Sequence, residues 1–279
     1  MKPAAPSLDT VPWLDGLGFP EGLRWSGARL WFSDIVRRTV HTAVPGHGSR
    51  MLTEVPGRPS GLGFHPDGTL VIASMRGRRV LRHTADGLDV LADLRPFGWR
   101  SLNDMVTHPE SGISYVDAYL EDDEHGAVML VRPDGSSEVA AHIGYPNGLI
   151  VCPGGRELVV ADTFREVLRS YTIGDDGRLT EAGVFAHLPG RQPDGLCVDA
   201  EGAVWTASFL SGEFLRVERG GRVTHHVDVG TRWALSCALG GDDGTTLFLA
   251  TANTTRERFL AGESEGWIEL ATAPVPALG

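Results

Sequence analysis

Apolar and polar residues alternate along this chain in short runs, broken at close intervals by glycine, proline and aspartate. Leu149-Ile150-Val151 runs into a Pro-Gly-Gly turn, and Leu158-Val159-Val160-Ala161 runs out of it. Alternation around turn dipeptides such as Asp67-Gly68 predicts β-hairpins, and no long segment carries a helical period. The same unit returns six times: PEGLRWSGARLWFSDI (20–35), PSGLGFHPDGTLVIASM (59–75), LNDMVTHPESGISYVDAY (102–119), PNGLIVCPGGRELVVADTF (146–164), PDGLCVDAEGAVWTASF (193–209) and LSCALGGDDGTTLFLATA (235–252). The second residue of each copy falls at 21, 60, 103, 147, 194 and 236, at intervals of 39, 43, 44, 47 and 42. A third strand follows in VLRHT, AVMLVRP, VLRSYTI and FLRVERG, and RLTEAGVFAHL reads as an outer strand. Four strands in each of six such units predict an all-β, six-bladed β-propeller filling residues 1–279 as a single domain. The period also fits a WD40 array, whose Gly-His and Trp-Asp signatures are missing. Residues 266–273 are expected in the last blade and residues 7–18 as its outer strand, so that both ends close the ring and remove an open edge.

The inner strand of a propeller blade lines the central channel, so equivalent repeat positions stand around one axis. Those positions hold Glu21, Ser60, Asn103, Asn147, Asp194 and Ser236, all carriers of side-chain oxygen. The next position is Gly22, Gly61, Asp104, Gly148, Gly195 and Cys237. Glycine there permits close backbone approach. Two carboxylates and two amides converging on an axis make a hard, oxygen-only site that suits Ca²⁺, Mg²⁺ or Mn²⁺, and Zn²⁺ less well. Without a cation, Glu21 and Asp194 would repel each other.

Composition changes this picture mainly by exclusion. Apolar content of 42% and charged content of 22% are ordinary for a globular protein, and a net charge of −11 disfavours nucleic acid and anionic membrane as partners. No run of eighteen apolar residues occurs, and the first sixteen residues lack an apolar signal core, so a cytoplasmic location is expected. Cys152, Cys197 and Cys237 are odd in number, widely spaced and set in apolar strands, which predicts buried thiols. There is no Gly-x-Ser-x-Gly elbow, phosphate loop, dinucleotide fingerprint or His-Glu-x-x-His, and His225 and His226 point to opposite faces of a strand.

Glu-Gly-x-x-Trp at 21–25, Asn103-Asp104, Pro-Asn-Gly at 146–148, Pro-Asp-Gly at 193–195 and Ser236-Cys237 together give the chain its family likeness. It resembles the SMP-30/gluconolactonase/LRE-like propellers from about Phe19 to Ala271. The resemblance implies one divalent metal, held by Glu21, Asn147 and Asp194 with Asn103 as fourth ligand or substrate contact. It also implies hydrolysis of lactones, commonly sugar lactones. An arginine before the Asn-Asp pair contacts substrate in these lactonases. Here Arg100 stands three residues before Asn103, where the family more often places it two before.

By ligand type Ca²⁺ is the first choice of metal, with Zn²⁺, Mg²⁺ and Mn²⁺ as alternatives. Water would attack the lactone carbonyl while a carboxylate takes its proton. Asp194 is the expected base and Asp104 the second candidate, its other role being to fix the Asn103 loop. Loops before the inner strands offer Trp99, Arg100, His187, Arg191 and Arg232-Trp233 to the pocket. Loops after the second strands offer Met75-Arg76, Tyr119, Phe164-Arg165, Phe209 and Asn253. Arginines would hold substrate hydroxyls or a carboxylate, and Tyr119, Phe164 and Phe209 would stack on its ring. Loops 120–126 and 254–266 are candidate lids, and Trp25, Trp31 and Trp205 are expected in the core. Two alternatives remain open. One is the same metal site used for isomerisation or elimination, and the other a non-catalytic binding propeller with a structural ion. A monomer acting on a small molecule is expected, since a closed propeller leaves no sticky edge.

Overall fold

The computed structural model describes residues 5–120 and 125–278. An isolated strand, β1 (Val11–Leu17), precedes five sequential four-stranded blades. They run from β2 (Pro20–Ser26) to β5 (Ser49–Glu54), β6 (Pro59–Phe64) to β9 (Gly87–Asp93) and β10 (Ser101–Thr107) to β13 (Ser137–Ile143), then β14 (Pro146–Val151) to β17 (Leu179–His187) and β18 (Pro193–Val198) to β21 (Arg222–Asp228). The sixth blade takes β22 (Trp233–Gly240), β23 (Thr246–Asn253) and β24 (Glu265–Thr272), and completes itself with β1 in the order β1-β24-β23-β22. β1 pairs antiparallel with β24, Val11 facing Leu270 and Leu17 facing Gly266. The six blades and the closure by both ends are those expected from the repeat. The 254–266 loop additionally holds a short helix, α1 (Arg256–Leu260), capped by the Thr255 hydroxyl accepting the N–H of Arg258. No helix among the described residues is long and apolar enough to cross a membrane.

Burial falls from the inside of each blade outward. The second strands, sandwiched between neighbouring blades, are almost wholly buried, as in Leu70–Ser74 and Val204–Ser208. Outer strands such as β5 and β21 are half-exposed. This explains why second strands read as continuous apolar runs and outer strands as mixed ones. The packing between blades is side-chain on side-chain. Trp205, Phe214, Leu247 and Leu249 fill the seam between blades five and six, and burying a side chain such as Phe214 stabilises by about 1.5–3 kcal/mol. Trp31 packs edge-on against Phe64 at 5.2 Å, and Trp25 stacks on Phe248 at 5.2 Å. The three cysteines are free and buried, with the sulfurs of Cys197 and Cys237 3.5 Å apart across two blades.

Every inner strand is irregular at one place. The register shifts lie between Glu21 and Arg24, Pro59 and Leu62, Leu102 and Met105, Pro146 and Leu149, Pro193 and Leu196, and Ala234 and Ser236. These bulges coincide with the polar ring, and a bulge re-aims the side chain it carries. The glycines after the ring residues explain how six bulged strands fit around one axis. A Cβ on Gly61 would lie 2.1 Å from the Met105 nitrogen, and one on Gly148 2.2 Å from the Asp194 carbonyl oxygen. Each glycine thus abuts the backbone of the next blade.

Candidate functional site

A pocket of about 150 Å³ opens at the end of the channel where the inner strands begin. Glu21, Asn103, Asn147 and Asp194 all line it. Ser60 hydrogen-bonds Asn103 but is not itself a lining residue. The sequence-derived ligand set is therefore brought together by its four bulges.

The polar floor is ordered by hydrogen bonds. The Ser60 hydroxyl donates to Asn103 Oδ1 at 2.9 Å, and Asn103 Nδ2 donates to Asn147 Oδ1 at 2.5 Å. Asn103 spends its own oxygen on Ser60 and orients Asn147. Glu21 accepts the N–H of Gly22 at 3.0 Å. Glu21 and Asp194 are 8% and 6% exposed, so neither is much solvated. Burial first, then the charge of Asp104, pushes the Glu21 carboxyl up to about 8. Burial, then the charges of Glu21 and Asp104, pushes Asp194 well above the usual carboxylate range. A divalent cation would relieve this repulsion. Two carboxylates plus amide oxygen match a hard cation, although among the described residues no three His, Cys, Asp or Glu side chains converge as a metal site.

This electrostatic conflict has a thermodynamic signature. A carboxyl whose pKa is raised by folding holds its proton more tightly in the folded chain, so its contribution is complete below its ordinary pKa and is lost as pH rises through the raised one. In chelator, the melting temperature should fall between pH 5 and pH 8, and Glu21→Gln should flatten the fall. A melting temperature that climbs across that window in the parent would contradict the buried-repulsion account.

Asp104 does not reach the pocket. Its carboxylate accepts the N–H of Met105 at 2.8 Å and pairs with Arg24 from blade one at 3.1 Å. Arg24 also donates to the carbonyls of Leu23 and Met105, tying blade one to blade three across the channel. Burial raises the Asp104 carboxyl, and Arg24 and the Met105 N–H oppose that rise. Opposite the Asn103–Asp104 bulge stands Asp117, where other blades carry Ala73, Ala161 or Ala207. It is wholly buried, and burial followed by the charges of Asp104 and Asp194 pushes it well above its ordinary range.

The walls are aromatic. Tyr119, Phe164 and Phe209 line the pocket, as expected, with Met75 and Trp233. Phe19, Ile35, Tyr145, Leu235 and Phe259 line it too and were not singled out in the sequence. Phe19 packs on Phe259 at 4.5 Å and on Trp233 at 6.4 Å, and Phe209 meets Trp233 at 5.5 Å. Across the mouth, Tyr145 stacks on Tyr119 at 4.9 Å and meets Phe164 edge-on at 4.8 Å. Phe259 comes from α1, so the 254–266 loop does reach the site, through one ring.

The arginines do otherwise. Arg76 and Arg100 line a neighbouring groove with Arg78, Gly98, Trp99 and Leu120. Trp99 is itself buried, its indole N–H directed at the sulfur of Met129. Arg165 faces Asp162 at 3.7 Å, Arg191 pairs with Glu213 at 2.9 Å, and Arg232 with Glu269 at 2.8 Å. His187 and Asn253 are exposed and outside the pocket. In the acidic 120–126 loop, residues 121–124 lie outside the described residues.

A sequence model of the SMP-30/gluconolactonase/LRE-like region matches residues 19–253. A 6-deoxy-6-sulfogluconolactonase of Pseudomonas putida is 27% identical over 246 residues, covering 85% of this chain and 83% of that protein. A pentonolactonase of Haloferax volcanii is 25% identical over 229 residues, covering 80% and 77%. Among solved structures, a luciferin-regenerating enzyme superposes with a TM-score of 0.82 at 18% identity, covering 97% of this chain and 98% of that one, which is a likeness of fold.

Proposed function

Because the chain belongs to the SMP-30/gluconolactonase/LRE-like family, we propose that it is a divalent-metal-dependent hydrolase that opens lactones. The observation that carries the proposal is the meeting of Glu21, Asn147, Asp194 and Asn103 at the floor of one pocket. The lactonase relatives, matched over most of their length, support the reaction class.

Glu21, Asp194 and Asn147 would hold the cation. When bound, it supplies Lewis-acid polarisation of the lactone carbonyl and a lowered pKa for water. Asn103 keeps Asn147 aimed at the floor and stands within reach of substrate. Asp194 takes the proton of the attacking water and returns it to the ring oxygen as the ring C–O bond breaks, so that hydroxyl and carboxylic acid are the products. Asp104, held by Arg24 and away from the pocket, positions the Asn103 bulge and leaves base catalysis to Asp194. The aromatic walls seat the lactone ring and keep bulk water from the carboxylates. A single-domain monomer acting on a small molecule in the cytoplasm belongs to the same proposal.

The test is proton release from a panel of lactones, using metal-stripped protein with Ca²⁺, Mg²⁺, Mn²⁺ or Zn²⁺ added back singly. Turnover that needs a divalent ion is expected, with Ca²⁺ favoured by the oxygen ligands. Full turnover in chelator would remove the metal from the mechanism. No turnover of any lactone by metal-loaded, folded protein would remove the reaction.

A further inference from the structure

Among the described residues, the pocket lining carries charge only at its floor. Its lining residues include Glu21 and Asp194 but no Lys, Arg or His among the described residues, and seven of the fourteen are aromatic. The arginines that the loops offer are committed elsewhere, Arg165, Arg191 and Arg232 to carboxylates and Arg76 and Arg100 to a separate groove. Asn103 accepts from Ser60 and donates to Asn147, so the floor amides face the cation site rather than the walls, and the Tyr119 hydroxyl turns to Ser101 and Tyr145. A polyhydroxylated ring placed here would set the hydroxyls that point away from the floor against Phe, Trp, Met and Leu carbon. An apolar wall discriminates against one added hydroxyl by about 10²-fold.

We infer that this pocket takes a lactone whose ring carries an apolar alkyl or aryl substituent, in preference to a polyhydroxylated or anionic sugar lactone. The inference rests on the lactonase reading for its reaction and on the walls for its substrate. The reacting carbonyl faces the polar floor, and the substituent lies between the Phe19–Trp233–Phe209 group and the Tyr119–Tyr145–Phe164 group. The ring opening balances as above, water adding across the C–O bond.

Two measurements separate the substrate class from the reaction. The first is calorimetric binding of two hydrolytically inert δ-lactams, one carrying a propyl group and the other the hydroxyls of gluconic acid. The propyl lactam should bind at least about tenfold more tightly, and Phe209→Asn should shrink that ratio by weakening the propyl lactam alone. The second is kcat/KM for the two corresponding lactones, each divided by its own uncatalysed rate, where the propyl lactone should lead by about 10²-fold. Propyl-lactam preference without turnover of either lactone would uphold the pocket's ligand class and sink hydrolysis. Turnover that favours the gluconic lactone would sink the inference and leave lactone hydrolysis standing. Equal binding of the two lactams, tighter binding of the hydroxylated one, or binding of neither would overturn it as well.

Discussion

Asp194→Ala is expected to cut kcat/KM on lactones by about 10³-fold or more at saturating metal, the scale of losing a principal transition-state stabiliser. Asp194 lies on the bulge of β18, 6% exposed, at the floor of the pocket. The substitution removes a metal ligand and the proton acceptor together. It also removes the partner whose charge is held against Glu21, so the metal-free variant should melt no lower than the metal-free parent near pH 8. Lost activity with retained or improved metal-free stability is a pattern that simple unfolding cannot mimic. Asp194→Asn divides the two roles, keeping an oxygen ligand and discarding the base. It should bind metal measurably in calorimetry and remain nearly inactive. Activity within tenfold of the parent in either variant, with metal bound, would assign the proton transfer elsewhere.

Gly148→Ala should be worse for the fold than most core truncations. The new methyl would sit 2.2 Å from the Asp194 carbonyl oxygen and 2.9 Å from the Asp194 carbonyl carbon and Gly195 Cα, all of them backbone atoms. No side chain can swing away. Asp194 can retreat only by disturbing the pairing of Pro193 and Leu196, on either side, to Ser208 and Thr206. Overpacking typically costs 1–3 kcal/mol, and this contact belongs at or above about 3 kcal/mol. Any protein that does fold carries a displaced Asp194, and misplacement by about 1 Å is enough for a 10²-fold loss of rate. Urea unfolding and kcat/KM should therefore fall together. Gly48→Ala is the control, since a Cβ there meets nothing within 4 Å, and it should stay within about 0.5 kcal/mol of the parent. A Gly148→Ala protein as stable and active as that control would mean the blades are not interlocked as described.

The fold was legible because the repeat puts the same instructions in the chain six times, and strand period, turn dipeptides and ring oxygens all agree in register. The four floor residues were legible for the same reason. The bulges that aim them were not, because a bulge changes no residue type, and only the glycines after Glu21, Asn147 and Asp194 hint at it. Phe19 and Tyr145 did leave a signal. Each stands two residues before its ring residue, so the repeat register could have placed both at the pocket. Phe259 left none, coming from a five-residue helix without period inside an irregular loop. The ion pair of Arg24 with Asp104 spans 80 positions and two blades, and nothing local announces it. Arg100 lines the neighbouring groove rather than the pocket for a related reason. Loop composition tells which residues border an end of the channel, but the backbone path decides which groove each one enters.

The closing blade sets an order on synthesis. Thr10 meets its partner Glu269 at 3.3 Å across 259 positions of chain, and β1 can pair with nothing until β24 exists. While the ribosome works, five blades can assemble one after another as an open arc, each covered on one side by its predecessor. The first strand waits throughout, and so does the seam between blades six and one. Completion is a single late event that converts the arc into a ring and assembles the pocket at the same stroke, since Glu21 and Asp194 stand on opposite sides of that last blade. The pocket is therefore incomplete until β24 is available to pair with β1.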